Sequence, residues 1–450
     1  MRMTGQQLQQ ATRGEWQGEA PGCVEGLCTD SRELNAGQAF LALCGPRFDG
    51  HRFGRDAAGR GAAALIGDYA GMPAWADIDL PRLAVEDTLC ALGDIAASWR
   101  QQLQMPVVAM TGSFGKTTVR SMLEHLFHAF GKRTAATRRN DNNLVGVPQT
   151  LLAIRGDEAA ALIECGISVT GEMARLASMV QPDISVITGF SAAHGEGLGG
   201  ISGVVREKAR LLTTTRPGGW CVLGAGVAER LRKEGCYPDA LDCLEMESDT
   251  AGVVRWRMQG CTLQLQLGWD NAELQLPLPA EHWAADMALA ATVVCRLLQV
   301  GLGEVASALA SWRPVAGRMQ PLTGSGGCRL LDDAYNANPA SMAAALDTLR
   351  QLPGRRFAVL GDMAELGDDA VSQHAGLNLS EIEEVVLVGP LMQELAERHA
   401  QAVWVPDAEG AIRAVHAWSL GSHDTVLVKG SRSMGLDAVV RTLTEASRAI

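Results

Sequence analysis

No two of the eleven cysteines, scattered from Cys23 to Cys328 over 450 residues, stand in a CxxC pair. An odd number without framework or metal-finger spacing suggests no zinc site and reads as reduced thiols. Also missing is any window approaching eighteen uninterrupted apolar residues, and the N-terminal stretch MRMTGQQLQQATRGEW has no apolar signal core. No membrane insertion and a cytoplasmic location are therefore expected. Positive charge is short as well: 39 Lys and Arg against 51 Asp and Glu leave a net charge of -12. That balance argues against nucleic acid or an anionic membrane as the main partner. An anionic substrate must then be held by local cations and backbone amides. There is no internal repeat and no low-complexity segment.

What is present is a chain too long for one ordinary core, and the length suggests about three domains of ~150 residues. Residues 1–85 mix short β-type runs (39–43, 62–66, 83–85) with turns and end near a Pro-rich stretch at 72–81, as a small α/β domain would. A helical segment at 88–104 leads into a central block, 86–313. There, strand-like runs at 107–110, 160–163, 184–187 and 220–223 alternate with helical runs at 119–130, 171–179 and 203–212. Such alternation implies a parallel sheet flanked by helices. Residues 253–278 read as antiparallel strands, with Leu263, Leu265 and Leu267 alternating, and 284–298 as a buried helix. A third block, 314–450, repeats the strand and helix alternation. The fold class is thus α/β: a central parallel-sheet ATPase flanked by a small N-terminal α/β domain and a C-terminal Rossmann-like domain.

The ATPase assignment rests on Thr111-Gly112-Ser113-Phe114-Gly115-Lys116-Thr117-Thr118, which joins the strand at 107–110 to the helix at 119–130. Strand, glycine turn and helix make a phosphate-binding loop. Its amides and the helix dipole face an oxyanion, Lys116 can reach the β- and γ-phosphates, and the Thr117 hydroxyl can ligate Mg²⁺. ATP or GTP is the expected ligand. The spacing is short, since only Ser113 and Phe114 separate the two glycines where the general pattern has four residues before its Gly-Lys pair.

Glu164 and His194 fall at or just past the ends of two further strands, where ligands of parallel sheets bind. A carboxylate and a neutral imidazole there suit the same Mg²⁺, although a solvated Glu and a capping His would look alike. Lys208 lies in the helical run 204–210, where a lysine ordinarily faces solvent. In the third block Asp333, Asn336 and Asn338 follow a strand and precede a helix, offering donors and acceptors for a ribose, a metal or an amine. A polar turn and helix cap would have the same composition. Polar clusters at 361–367 and 429–433 repeat that placement, and three at three strand ends favour a site.

Taken together, TGSFGKTT, TDSRELNAGQAFLALCGPRFDGH (29–51), AAHGEG (192–197), DDAYNANPASM (332–342), LGDMAELG (360–367) and VKGSRS (428–433) closely resemble the Mur ligases, in order and over essentially the whole chain. The likeness is greatest to members that join D-alanyl-D-alanine to a UDP-N-acetylmuramoyl-tripeptide in peptidoglycan precursor synthesis. It also accounts for the short loop. The resemblance implies an ATP- and Mg²⁺-dependent amide-forming ligase: 1–85 holds a UDP-sugar peptide, 86–313 binds ATP, and 314–450 brings the amine, a dipeptide or amino acid. Phosphorylation of the substrate carboxylate, attack by the amine and loss of phosphate would follow. A monomer is expected.

Carried over from the family, Lys116, Lys208 and His194 are catalytic, and Thr117, Glu164, His194 and Lys208 surround the metal, with Lys208 as a carbamate. Gly112, Ser113, Gly115, Lys116, Thr117, Thr118, His282, Arg318 and Asp333 would hold the nucleotide. Ser31, Asp49 and His51 match the uridine end, and Asn142, Asn143, Asn336 and Asn338 the remaining substrate. The sequence departs from the family where a His-Asn-x-x-Asn run reads His282-Trp283-Ala284-Ala285-Asp286, and at Gly189, Leu144, Arg210 and the turn 166–172. Two other readings stay open: a paralogue ligating a different acid and amine, and a non-catalytic nucleotide-binding homologue.

Overall fold

The computed structural model describes residues 1–45, 48–191, 195–246 and 252–448. Its centre is the strand Val107–Thr111, every residue of which is buried. A strand apolar on both faces needs helices above and below, and it sits inside a six-stranded, wholly parallel sheet. The spatial order is Asp242–Glu245, Trp220–Leu223, Ile184–Ile187, Val107–Thr111, Ala160–Glu164, Thr134–Ala136. Chain connections diverge to the two sides of Val107–Thr111, which opens a crevice at its carboxyl end.

A three-stranded antiparallel sheet, Arg255–Gln259, Thr262–Leu267 and Asp270–Gln275, follows, with Leu263 and Leu265 turned inward. The helix Glu281–Leu298 is buried almost all round, from Trp283 to Cys295, as its apolar composition requires. Before the central sheet lies a mixed five-stranded sheet within residues 15–85, and after it a six-stranded one within 320–429, parallel except for the edge strand Gln320–Thr323. The sheets confirm the expected α/β class. No described helix is long and apolar enough to cross a membrane.

Two apolar cores tie the layers together. One joins Leu8, Leu92 and Ile95 to Val107, Ile163 and Met173. The other runs from Met122 and Trp283 through Trp312 and Met319 to Leu331 and Met342, so the C-terminal sheet is packed down on the central one. Trp283 and Trp312 meet edge to face, centroids 5.5 Å apart, on this seam. Each large side chain buried there contributes about 1.5–3 kcal/mol, which holds the crevice closed from one side. The helix expected at 88–104 ends earlier, at Arg100. The Arg100 guanidinium turns into the core and donates to the Val180 and Gln181 carbonyls and to Asp183, all at 2.8 Å, fixing the chain's exit.

Candidate active site

The phosphate loop is shaped by its two glycines. Gly112 has φ +154°, and a Cβ there would lie 2.0 Å from Thr188 Oγ1. Gly115 has φ +78°, with Asp286 Oδ1 2.8 Å from where its Cβ would be. Neither place admits a side chain, so the short loop survives only as glycine. The Ser113 amide donates to the Gly189 carbonyl at 2.9 Å and the Thr188 hydroxyl donates to Phe114, which ties the loop to the end of the adjacent strand. Lys116 curls back and donates from Nζ to the Gly112 carbonyl at 2.7 Å. Burial lowers its pKa to about 8, Glu164 opposing and Arg318 adding to the shift.

Beside the loop, Thr117 Oγ1 donates to Glu164 Oε2 at 3.1 Å, and Arg120 Nε holds the other carboxylate oxygen at 2.6 Å. Thr117 and Arg120 share a helix face by their three-residue spacing, a signal available from the sequence but missed. Lys208 does not face solvent. The helix Gly200–Ala209 turns it fully inward, and among the described residues its Nζ has no hydrogen-bond partner. Desolvation first, and Lys116 second, push its pKa well below the ordinary lysine value, so the amine is disposed to be neutral. His194 lies outside the described residues.

The opposite wall comes from the C-terminal sheet. Lys429 Nζ donates to Asp333 Oδ2 at 2.7 Å and to the Asn336 carbonyl at 3.0 Å, closing a buried ion pair at the ends of adjacent parallel strands. Asp333 Oδ1 accepts the Met319 amide at 3.0 Å. Arg318 stacks on Tyr335 at 4.1 Å and reaches Thr117 Oγ1 at 3.4 Å. Asn338 caps the helix Pro339–Arg350 and donates from Nδ2 to the Ser113 carbonyl at 3.2 Å. His282 Nδ1 has no hydrogen-bond partner among the described residues, and burial lowers its pKa to about 4, which keeps the ring neutral.

These walls enclose a cavity of about 810 Å³. It brings together Ser113, Gly115, Lys116, Thr117, Thr118, Asn142, Asn143, His282, Arg318, Asp333, Asn336 and Asn338. Gly112 lies beneath it as the Lys116 acceptor. Asn143 is occupied as a turn cap, its Oδ1 accepting the Val145 and Gly146 amides at 3.0 and 2.9 Å. Ser31, Asp49 and His51 are elsewhere, in the N-terminal sheet's loops, where His51 Nδ1 meets Asp49 Oδ1 at 2.8 Å. The cavity adds residues that had no assigned role: Asp286, Trp256, and Lys429. Asp286 sits against the loop with its pKa raised well above the carboxylate range by burial.

Comparison with known proteins agrees with this arrangement. Residues 24–100 match the Mur ligase family catalytic domain, 110–294 the Mur ligase middle domain, and 317–432 the Mur ligase glutamate ligase domain. The chain is 34% identical to the UDP-N-acetylmuramoyl-tripeptide–D-alanyl-D-alanine ligase of Escherichia coli (strain K12), over 98% of both chains. It is 29% identical to the Bacillus subtilis (strain 168) ligase of the same name, over 94% of both. A crystal structure of MurF from Acinetobacter baumannii superposes with a TM-score of 0.87 at 29% identity, covering 99% of each chain. MurF from Thermotoga maritima in complex with ADP shares the fold, with a TM-score of 0.82 at 24% identity over 94% of this chain and 97% of that one. With its three domain matches in order and its whole length shared with these ligases, the chain belongs to the Mur ligase family.

Proposed function

We propose that the protein joins D-alanyl-D-alanine to a UDP-N-acetylmuramoyl-tripeptide, with ATP converted to ADP and phosphate. The observation that carries this reading is the single cavity in which Lys116 and Thr117 face Asp333, Asn336 and Asn338. Phosphoryl donor and incoming amine must meet at one carboxylate, and only a space walled by both domains allows that. Residues 1–85 hold the UDP-sugar end, 86–313 the nucleotide and 314–450 the amine. A monomer in the cytoplasm, where nucleotide-linked precursors and ATP are at hand, is part of the same reading.

The residues have distinct tasks. The loop amides and Lys116 neutralise charge on the transferring phosphoryl group. Thr117 Oγ1 and Glu164 Oε2, oxygen donors 3.1 Å apart, suit a hard cation, while Arg120 engages the second Glu164 oxygen and holds the carboxylate in place. When bound there, Mg²⁺ supplies positive charge to the phosphates. Lys208 Nζ, buried without a hydrogen-bond partner among the described residues, is suited to carbamylation, because a neutral amine attacks CO₂ and, on losing a proton to solvent, becomes an anion. Arg318 and the Lys429–Asp333 pair position the nucleotide from the far wall. The amine then attacks the acyl phosphate, a new C–N bond forms, and phosphate leaves.

The test omits ATP, UDP-N-acetylmuramoyl-tripeptide and D-alanyl-D-alanine in turn, reading phosphate release and product mass. Pentapeptide product only when all three are present is expected. A folded, ATP-binding protein that yields none, yet ligates a different acid and amine, overturns the substrate assignment and leaves the ligase chemistry.

A further inference from the structure

The loop after the strand Ala39–Leu41, whose Asp49 and His51 match the uridine end, adds a thiol to them that nucleotide chemistry does not require. A short hairpin pairs Cys44 directly across from Asp49, and the chain then turns through the 3-10 helix Gly50–Phe53. The Asp49 carboxylate caps that turn by accepting the His51 amide at 3.0 Å. Pairing and cap together bring three ligand atoms to one point. Cys44 Sγ lies 3.3 Å from His51 Nδ1 and 3.5 Å from Asp49 Oδ1, and the last two are 2.8 Å apart. Around an ion with a sulfur at about 2.3 Å and nitrogen or oxygen at about 2.0–2.1 Å, tetrahedral neighbours are separated by roughly 3.3–3.6 Å. Both sulfur edges already have that length, and the third needs to open by about 0.5 Å.

The imidazole is held ready. His51 is 4% exposed, packs on Trp75 at 4.9 Å between ring centroids, and leaves no room for a Cβ at Gly71, which would lie 2.2 Å from Nε2. Trp75 Nε1 donates to the His51 carbonyl at 2.7 Å. Cys44 is exposed, so an ion can enter from solvent and keep water as a fourth ligand. Behind the ring, Asp68 Oδ1 stands 3.8 Å from Nε2, and Asp68 joins Cys44 and His51 within a 4.8 Å group.

We propose that Cys44, Asp49 and His51 form a binding site for a thiophilic divalent cation, Zn²⁺ by its chemistry, with Asp68 orienting the imidazole from behind. Thiolate, imidazole and a single carboxylate select zinc over Mg²⁺, which demands oxygen ligands. Capture releases the Cys44 thiol proton to solvent and forms the sulfur–metal bond. The Nδ1 proton of His51 moves to Nε2, where the Asp68 carboxylate replaces the Asp68 amide, now 3.2 Å away, as its partner.

The experiment uses the reduced full-length protein with Co²⁺ as a spectroscopic stand-in for zinc. One equivalent should give a thiolate-to-cobalt charge-transfer band with tetrahedral visible bands, all bleached by Zn²⁺. Cys44→Ser, at an exposed position, should fold by circular dichroism and lose the band. Cys221→Ser should keep it, which separates this site from the Cys221–Cys243 thiol pair at 3.0 Å. Asp49→Asn should weaken Zn²⁺ at least tenfold in competition with a chromophoric chelator. Absence of the band in the wild type, its persistence in Cys44→Ser, or its loss in Cys221→Ser overturns the proposal.

Discussion

Asn338 donates from its side-chain amide to the Ser113 carbonyl at 3.2 Å, across 225 residues of chain and between two sheets. The same side chain accepts the Ser341 amide at 2.9 Å as a helix cap. One residue therefore fixes both the start of a C-terminal helix and its position over the phosphate loop. Asn338→Ala should cost about 1–2 kcal/mol of stability for the lost cap and also raise KM for the amine, since the wall that meets the loop is loosened. Asn338→Asp keeps the cap but not the donor. It should restore stability without restoring KM, which thermal melts and steady-state kinetics would separate.

Lys116→Met should lower turnover by at least ~10²-fold, because a fixed charge aimed at the transferring phosphoryl group is gone. Its ligand-free melting temperature at pH 7 should nevertheless rise by a few degrees. A lysine whose folded pKa is lowered to about 8 binds fewer protons than in the unfolded chain between that value and the ordinary 10.5, so it costs stability below the window and the cost fades as pH rises through it. The variant should flatten that rise. An unchanged stability–pH curve would show that the ammonium is well solvated without nucleotide.

Lys208→Ala should lose activity that added short-chain carboxylates partly restore. The wild type should carry a ¹³C-carbamate signal in labelled bicarbonate. Full activity of the variant in bicarbonate-free buffer would make the buried amine merely structural.

Trp283 and Asp286 should make base recognition weak. Trp283 is committed to Trp312, and Asp286 lies against Gly115, so neither offers the paired amides expected at these positions. Each adenine hydrogen bond forgone is worth about 0.5–1.5 kcal/mol. GTP should compete with ATP within about tenfold in calorimetry, and a strong preference for ATP would assign the base to other residues.

Much of this was legible in the residues. The strands at 184–187 and 220–223 match their apolar runs to the residue, since such runs, broken only by Ser185, belong in a sheet covered on both faces. Thr134–Ala136, Asp242–Glu245 and Ala402–Val405 were missed. They are short edge strands with partly exposed residues, and their hydrogen bonds come from a neighbour rather than from their own pattern. At the site, the loop and its lysine were plain, because glycine spacing and the strand-to-helix change are local.

The phosphate loop, the order of the three blocks and the family follow from the residues alone, since each depends on neighbouring residues or on motifs in series. The three-dimensional packing was needed to learn that Lys208 is buried without a partner among the described residues, that Lys429 pairs with Asp333 across 96 residues, and that Cys44 meets Asp49 and His51 at one point. The orientation of a helix face and the meeting of strand ends are set by packing between elements. A one-dimensional pattern records which face is apolar but not what that face is pressed against.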